Sequence, residues 1–260
     1  MINSLGISNL TDLTEETVGN LVARINDQYG SWLGFKSKKE AVEFLTPEIF
    51  GWGPTSDSAA TIPAVPMISK MIKETFNRCA NKVSSVDTIS VHLFPSYNKF
   101  INQKMDGVSG YTPDRKHMIL FISKQNGWKQ ALAQTLAHEF AHTQNFSHHR
   151  WRTLLDSIIF EGLAEHFRES AVSGKKSPWV KSINQSAAKK YFFQIKNKLS
   201  SNGNKIYREL FLGQGNKYPL WTGYAIGYQI IKSYLKNNPK KSWPQIFATK
   251  PKEILARSDY

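Results

Sequence analysis

The hexapeptide Ala137-His138-Glu139-Phe140-Ala141-His142 lies in an apolar, helix-forming part of this 260-residue chain and decides which fold to expect. Residues four apart on an α-helix share a face, so His138 and His142 can present both imidazoles to one metal ion. Glu139 follows the first histidine, where its carboxylate can take a proton from a water molecule activated by that ion. The pattern predicts the active-site helix of a zinc hydrolase. The alternative is a surface helix that holds two histidines by chance.

A catalytic zinc site needs a further ligand, because three protein ligands are usual and the fourth position is left for water. His148 lies ten residues beyond His138, the offset of the metzincin pattern, but every methionine of the chain precedes the motif and none can form a Met-turn. Glu161 and Glu165 are better candidates, since they are four apart on a second predicted helix that begins near Trp151. One carboxylate can bind zinc while the other accepts a hydrogen bond from a ligand histidine. An ordinary acidic helix face is the alternative.

Three blocks of sequence extend this pattern: Gly107-Val108-Ser109-Gly110-Tyr111-Thr112, then Leu136–Glu139 with Glu161-Gly162-Leu163-Ala164-Glu165, then Gly223-Tyr224-Ala225-Ile226-Gly227-Tyr228. Together they resemble the DUF2268 or YjaZ-like family of predicted zinc-dependent proteases, over roughly residues 86–235. The HExxH motif followed after eighteen residues by Glu-Gly-Leu-Ala is also similar to the gluzincin arrangement.

The resemblance implies a gluzincin-like fold in which His138, His142 and Glu161 bind zinc and Glu139 is the general base. Glu165 is then expected to orient His138 through a hydrogen bond. The reverse assignment, with Glu165 as the ligand and Glu161 as its partner, stays open.

Two tyrosines in the predicted helix 219–237 are candidates for a further catalytic role. Tyr224 and Tyr228 are four apart and follow Gly223 and Gly227, which allow another backbone to approach closely. A tyrosine hydroxyl can stabilise the oxyanion that forms when water attacks a carbonyl carbon. We predict this role for Tyr224 first and Tyr228 second. The alternative is that both are core aromatics on a buried helix face.

The composition is that of a soluble enzyme. With 40% hydrophobic residues the chain can bury a sizeable core. The N-terminus lacks a basic region followed by a long apolar run, and no apolar run is long enough to span a membrane. Cys79 is the single cysteine, which excludes an intrachain disulfide and a thiolate zinc cluster. The sequence therefore predicts a cytoplasmic protein.

The predicted fold is an α-rich α+β, zincin-like metallopeptidase fold. A Gly/Pro/Ser-rich break separates an N-terminal helical segment, residues 1–65, from a catalytic domain, residues 66–260. This domain is predicted to hold a small sheet within 86–123, active-site helices within 127–172 and a basic helical C-terminal lobe, 174–260.

The predicted sheet has strands at Val86–Phe94 and Lys116–Ser123, joined by a long connection. The second strand is predicted to lie at the sheet edge beside the active site, where it could hold an extended peptide. Its five consecutive apolar residues leave an interior strand as the alternative. Near the N-terminus, helices are predicted at 13–29 and 38–46.

Basic residues are concentrated in the last third of the chain. The chain has 34 Lys and Arg against 20 Asp and Glu, and residues 174–260 hold 17 of the basic residues with three acids, Glu209, Glu253 and Asp259. Such a region can attract an anionic partner or steer an acidic substrate. Nucleic-acid binding is less favoured, because no nucleic-acid motif is recognisable and lysine outnumbers arginine.

These features predict a zinc-dependent peptidase, with Zn²⁺ as cofactor and a peptide or protein as substrate. One alternative is a chaperone-like or interaction protein whose zinc is structural. The other is a basic nucleic-acid-binding protein with an incidental motif.

Overall fold

The computed structural model describes residues 2–3, 37–50, 61, 63–83 and 88–260. The strands are β1 (Ile2–Asn3), β2 (Ser90–Pro95), β3 (Val108–Asp114) and β4 (His117–Ile122). The α-helices are α1 (Lys38–Phe50), α2 (Val65–Ala80), α3 (Lys99–Lys104), α4 (Trp128–His148), α5 (Leu154–Ala171), α6 (Gln185–Ile195), α7 (Asn204–Phe211), α8 (Thr222–Asn237), α9 (Trp243–Ala248) and α10 (Pro251–Ala256). Short 3₁₀ helices lie at Trp179–Lys181, Lys196–Lys198 and Gln214–Asn216.

The chain divides into two compact units. One comprises Met1–Asn77 and Val86–Glu139, and the other comprises Arg78–Ser85 and Phe140–Tyr260.

The first unit contains a sheet with the strand order β1-β2-β4-β3. Strand β2 runs parallel to β1 and to β4, whereas β3 runs antiparallel to β4. Every side chain of Met118–Ile122 in β4 is buried, because this strand has a neighbour on each side and is covered on both faces. The Asp114 carboxylate accepts hydrogen bonds from the N–H groups of Lys116 (2.7 Å) and His117 (3.1 Å), which fixes the turn between β3 and β4.

Among the described strands, β3 is the edge strand next to β4. The prediction that Lys116–Ser123 lies at the edge is therefore wrong, and the interior position that was its alternative is confirmed. The sequence assigns Val108–Asp114 to a connection because Gly110 and Pro113 are poor strand formers. The segment forms a strand because a register shift in its second half accommodates Pro113, which has no N–H for the ladder.

The second unit is built around the packing of α5 against α8. Gly162 on α5 lies against Gly227 on α8, and a Cβ atom at either position would collide with backbone atoms of the other helix. The two glycines therefore let the helices approach closely, as the Gly-rich pattern of α8 predicts. Ile158, Ile226 and Ile230 are completely buried in this unit.

The predicted fold class is confirmed: the protein is an α-rich α+β chain whose small sheet precedes the HExxH helix. The helix predicted at 38–46 continues to Phe50, while the one predicted at 13–29 lies outside the described residues. The domain boundary predicted after residue 65 stays a prediction. In the part of the chain that the structure describes, no helix has the length and apolar character needed to cross a bilayer.

Candidate metal centre

Helix α4 carries the HExxH motif in its second half. His138 and His142 lie one turn apart on this helix and expose only 7% and 4% of their surface, and Glu139 exposes 5%. Ionisable side chains are rarely buried to this degree unless they bind a partner or a metal ion. The burial of all three therefore shows that the motif does not lie on a solvated helix face, which was the alternative.

Helix α5 supplies the acidic residue. A capping box sets its start: the Thr153 hydroxyl accepts from the N–H of Asp156 (3.2 Å), and the Asp156 carboxylate accepts from the N–H of Thr153 (2.8 Å). Two turns later Glu161 is buried, with Oε2 lying 3.5 Å from Nε2 of His142. Glu161 is therefore the residue of α5 whose carboxylate lies beside the second histidine of the motif.

Three side chains converge on one point. One ligand atom from each of His138, His142 and Glu161 lies within 4.8 Å of the other two. Two imidazole nitrogens and a carboxylate oxygen are a common donor set of catalytic zinc. Metal–ligand bonds of about 2.1 Å in a tetrahedral site place ligand atoms about 3.4 Å apart, close to the 3.5 Å between Glu161 and His142. The residues present therefore fit a zinc ion.

Glu139 is held against strand β3. The Thr112 hydroxyl donates a hydrogen bond to Oε2 of Glu139 at 2.7 Å and also lies 3.1 Å from the Glu139 carbonyl oxygen. Gly110 lies on the same face of β3, and a Cβ atom there would be 2.5 Å from Cγ of Glu139. The carboxylate thus occupies the space that any larger residue at position 110 would fill.

The family described as "Predicted Zn-dependent protease (DUF2268)" matches residues 68–256. The chain belongs to the DUF2268 family. The match extends from α2 to α10 and includes the metal group, Glu139 and strand β3. The recognition made from the three sequence blocks is therefore confirmed.

A relative in Bacillus subtilis (strain 168), "Uncharacterized protein YjaZ", is 29% identical over 147 residues. The aligned part is 53% of this chain and 54% of the relative, so the chain spans about half the length of the curated relative that it matches. No solved structure matches the chain.

Glu165, one turn beyond Glu161 in this DUF2268 chain, is completely buried and accepts hydrogen bonds from Arg168, Ser177 and Trp179. Arg168 donates to Oε2 through Nε (3.1 Å), and its Nη2 atom forms an ion pair with the same oxygen (3.0 Å). Ser177 donates to Oε2 (2.9 Å), and the Trp179 indole donates to Oε1 (2.8 Å). Because Arg168 is itself 1% exposed, the pair is a buried salt bridge with additional hydrogen bonds. Its role in orienting His138 stays a prediction.

The two candidate tyrosines have different surroundings. The Tyr228 hydroxyl donates to the Glu169 carboxylate (3.1 Å), and its ring stacks on His166 at 4.2 Å between centroids. Burial is the main reason why the pKa of Tyr228 is raised. Tyr224 is half-buried and packs against Phe211 (5.1 Å) and Trp179 (6.2 Å). The oxyanion role of Tyr224 stays a prediction.

Two other histidines lie near the motif. His148, the ligand that a metzincin pattern would require, is exposed and does not belong to the metal group. His166 donates from Nε2 to the Tyr228 carbonyl oxygen (2.9 Å), and burial lowers its pKa.

Sequence reasoning assigned no role to Gly110, Thr112, Arg168, Ser177 or Trp179. The block Gly107–Thr112 is among those that resemble the DUF2268 family. The sequence therefore marks this segment but does not indicate which chemical role Gly110 or Thr112 has. Arg168 lies three residues after Glu165 on α5, so this contact is local. Ser177 follows α5 in an irregular segment, and Trp179 begins the 3₁₀ turn beyond it. Their proximity to Glu165 is visible only in three dimensions.

Proposed function

We propose that this chain is a zinc-dependent peptidase of the gluzincin type. The observation that carries the proposal is the buried group of His138, His142 and Glu161, with Glu139 adjacent to the first histidine on the same helix. When bound, zinc supplies a Lewis acid that polarises a scissile carbonyl group and activates water.

Glu139 acts in this proposal as the general base. Its carboxylate takes one proton from the attacking water as the new carbon–oxygen bond forms. It passes that proton to the amide nitrogen as the carbon–nitrogen bond breaks, so that a carboxylic acid and an amine leave. Tyr224 is the candidate donor to the oxyanion, and Glu165 is the candidate that orients His138.

Strand β3 is the proposed support for the substrate backbone. It is the terminal strand of the described sheet on the side away from β1, and its Thr112 contacts Glu139 directly. An extended peptide can add to an exposed sheet edge through main-chain hydrogen bonds. These bonds recognise the peptide backbone and do not depend on particular side chains. This arrangement favours a peptide substrate over other compounds with a hydrolysable carbonyl group.

The two alternatives are less well supported. Structural zinc sites usually take four protein ligands, whereas the group found among the described residues has three. A structural site also needs no buried carboxylate such as Glu139 beside its first histidine. A nucleic-acid-binding protein has no need of the metal group at all.

The basic residues of 174–260 support a proposal about the partner. Within this region Glu209 lies 3.9 Å from Lys217 and Glu253 lies 2.9 Å from Arg257, so two of the three acids already face a cation. The surplus positive charge favours acidic peptide segments near the cleavage site. Binding and cleavage of acidic peptides should weaken as salt increases, whereas cleavage of neutral peptides should change little. The cytoplasmic location remains a prediction.

The test is mass-spectrometric cleavage of a diverse peptide library by the zinc-loaded protein. The Glu139→Gln variant should retain zinc and lose cleavage, while the surface variant Glu43→Gln, outside the basic region, should cleave like the wild type. Cleavage sites that depend on Glu139 support a peptidase. Cleavage at the wild-type level in Glu139→Gln would contradict the role of Glu139 as general base, and a zinc-loaded wild type without any cleavage would count against the peptidase.

A further inference from the structure

Strand β3 presents one face to the proposed base. Side chains alternate along a strand, so Gly110 and Thr112 point to one side and Tyr111 to the other. Tyr111 packs on Phe44, with ring centroids 4.7 Å apart. Gly110 and Thr112 both lie against the Glu139 side chain, and Thr112 exposes only 4% of its surface.

We propose that Thr112 is a positioning residue for Glu139 and that Gly110 provides the space that this position requires. The proposal rests on the peptidase function and deepens it. A glutamate side chain has three rotatable bonds, and a general base must hold its oxygen within hydrogen-bonding reach of the reacting proton. The hydroxyl of Thr112 binds Oε2 at 2.7 Å and so limits the rotation of the carboxylate group.

Gly110 leaves room for the Glu139 side chain because glycine has no Cβ atom. A Cβ atom at this position would lie 2.5 Å from Cγ, 2.7 Å from Oε1 and 2.8 Å from Cδ of Glu139. These atoms belong to a side chain and not to backbone, so the Glu139 carboxylate would move while the strand stays in place. Gly110→Ala should therefore displace the base and preserve the fold.

The position of Thr112 follows from the irregular end of the strand. Regular pairing with β4 reaches Tyr111 and resumes at Asp114, with one extra residue on β3. Such bulges often occur beside active sites, where they direct a side chain. Here Thr112 stands at the start of the bulge and faces Glu139.

The kinetic test uses peptides that the zinc-loaded wild type cleaves, with zinc content measured for every variant. Thr112→Val keeps the shape and removes the hydroxyl, so kcat should fall about 10- to 100-fold while KM changes little. Thr112→Ser keeps the hydroxyl and should remain within about threefold of the wild type. Gly110→Ala should lower kcat by about as much as Thr112→Val, with zinc retained.

A second readout does not depend on activity or on metal. In metal-free protein, Thr112→Val should lower the midpoint of thermal unfolding when Glu139 is present and change it much less in a Glu139→Ala background. If Thr112→Val does not fold, the comparison of Thr112→Ala with Thr112→Ser replaces it in both experiments.

The outcomes separate the two proposals. A zinc-loaded wild type without cleavage would count against the peptidase, and the unfolding comparison would still decide whether Thr112 and Glu139 are coupled. The positioning role would be overturned if Thr112→Val retained wild-type kcat, or if Thr112→Ser lost as much as Thr112→Val. Additive effects on the unfolding midpoint would overturn it as well.

Discussion

The indole N–H of Trp179 donates to the Oε1 atom of Glu165 at 2.8 Å and ties the 3₁₀ turn at Trp179–Lys181 to the buried face of α5. The opposite carboxylate oxygen, Oε2, is bound by Arg168 and Ser177. Both oxygens of a completely buried carboxylate therefore have donors, which is the condition under which a buried charge is tolerated.

Replacing this donor should destabilise the protein. Trp179→Phe keeps an aromatic ring against Tyr224 and removes the N–H, so the free energy of unfolding should fall by about 1–2 kcal/mol. Urea unfolding measures the change. In a Glu165→Gln background the same substitution should cost clearly less, since the acceptor is no longer charged. Equal costs in the two backgrounds would show that the hydrogen bond to Glu165 is not what Trp179 contributes.

Gly162→Ala should be strongly destabilising, because its Cβ would meet the carbonyl group of Gly227 and neither helix backbone can move independently. Overpacking of this kind costs about 1–3 kcal/mol and can prevent folding. Gly203→Ala is a suitable control, since this exposed residue has negative φ and only the Ser201 hydroxyl nearby, at 3.4 Å. Thermal unfolding of both variants is the measurement. A Gly162→Ala variant as stable as Gly203→Ala would contradict the close approach.

Zinc content should distinguish Glu161 from Glu165. Loss of a direct ligand should weaken zinc binding by more than about 100-fold, whereas loss of a residue that only orients a ligand should weaken it by about 10- to 100-fold. Competition with a chelator measures both affinities. Glu161→Ala should therefore lose zinc before Glu165→Ala does. The opposite order would establish the reverse assignment.

Acid should destabilise the sheet unit through His92. This residue is completely buried in β2, and burial, together with the nearby His117, lowers its pKa from 6.5 to about 4. In the unfolded chain His92 binds a proton near pH 6.5, so the unfolded state gains protons first as the pH falls. Stability should therefore be complete above about pH 6.5 and decrease towards pH 4, by on the order of 3 kcal/mol in total.

The check is the difference in unfolding free energy between the wild type and His92→Gln, measured by urea from pH 4 to pH 7. The wild type should lose more stability than the variant across this range, because glutamine does not titrate. Parallel pH profiles would show that His92 does not contribute.

Much of the architecture could be predicted from local pattern. The apolar run Met118–Ile122 predicts a buried strand, and the HExxH context predicts a long helix, because both signals lie within one element. Strand β3 could not be predicted, since Gly110 and Pro113 argue against a strand and only pairing with β4 overcomes them. Because β3 pairs with β4, the edge strand of the described sheet is β3 and not the predicted β4.

The sequence by itself determined that His138 and His142 share a face, that Glu139 stands beside the first of them, and that the fold is α-rich with a small sheet. Helix periodicity and apolar runs are properties of neighbouring residues, so a single chain displays them. Spacing alone left open whether Glu161 or Glu165 lies beside His142, and the tertiary structure decided for Glu161. Only the tertiary structure also decided that Thr112 binds Glu139 beside Gly110 and that Trp179 binds Glu165. Such contacts join residues up to 29 positions apart (Gly110 and Glu139) and arise from the packing of whole elements. No local pattern records them.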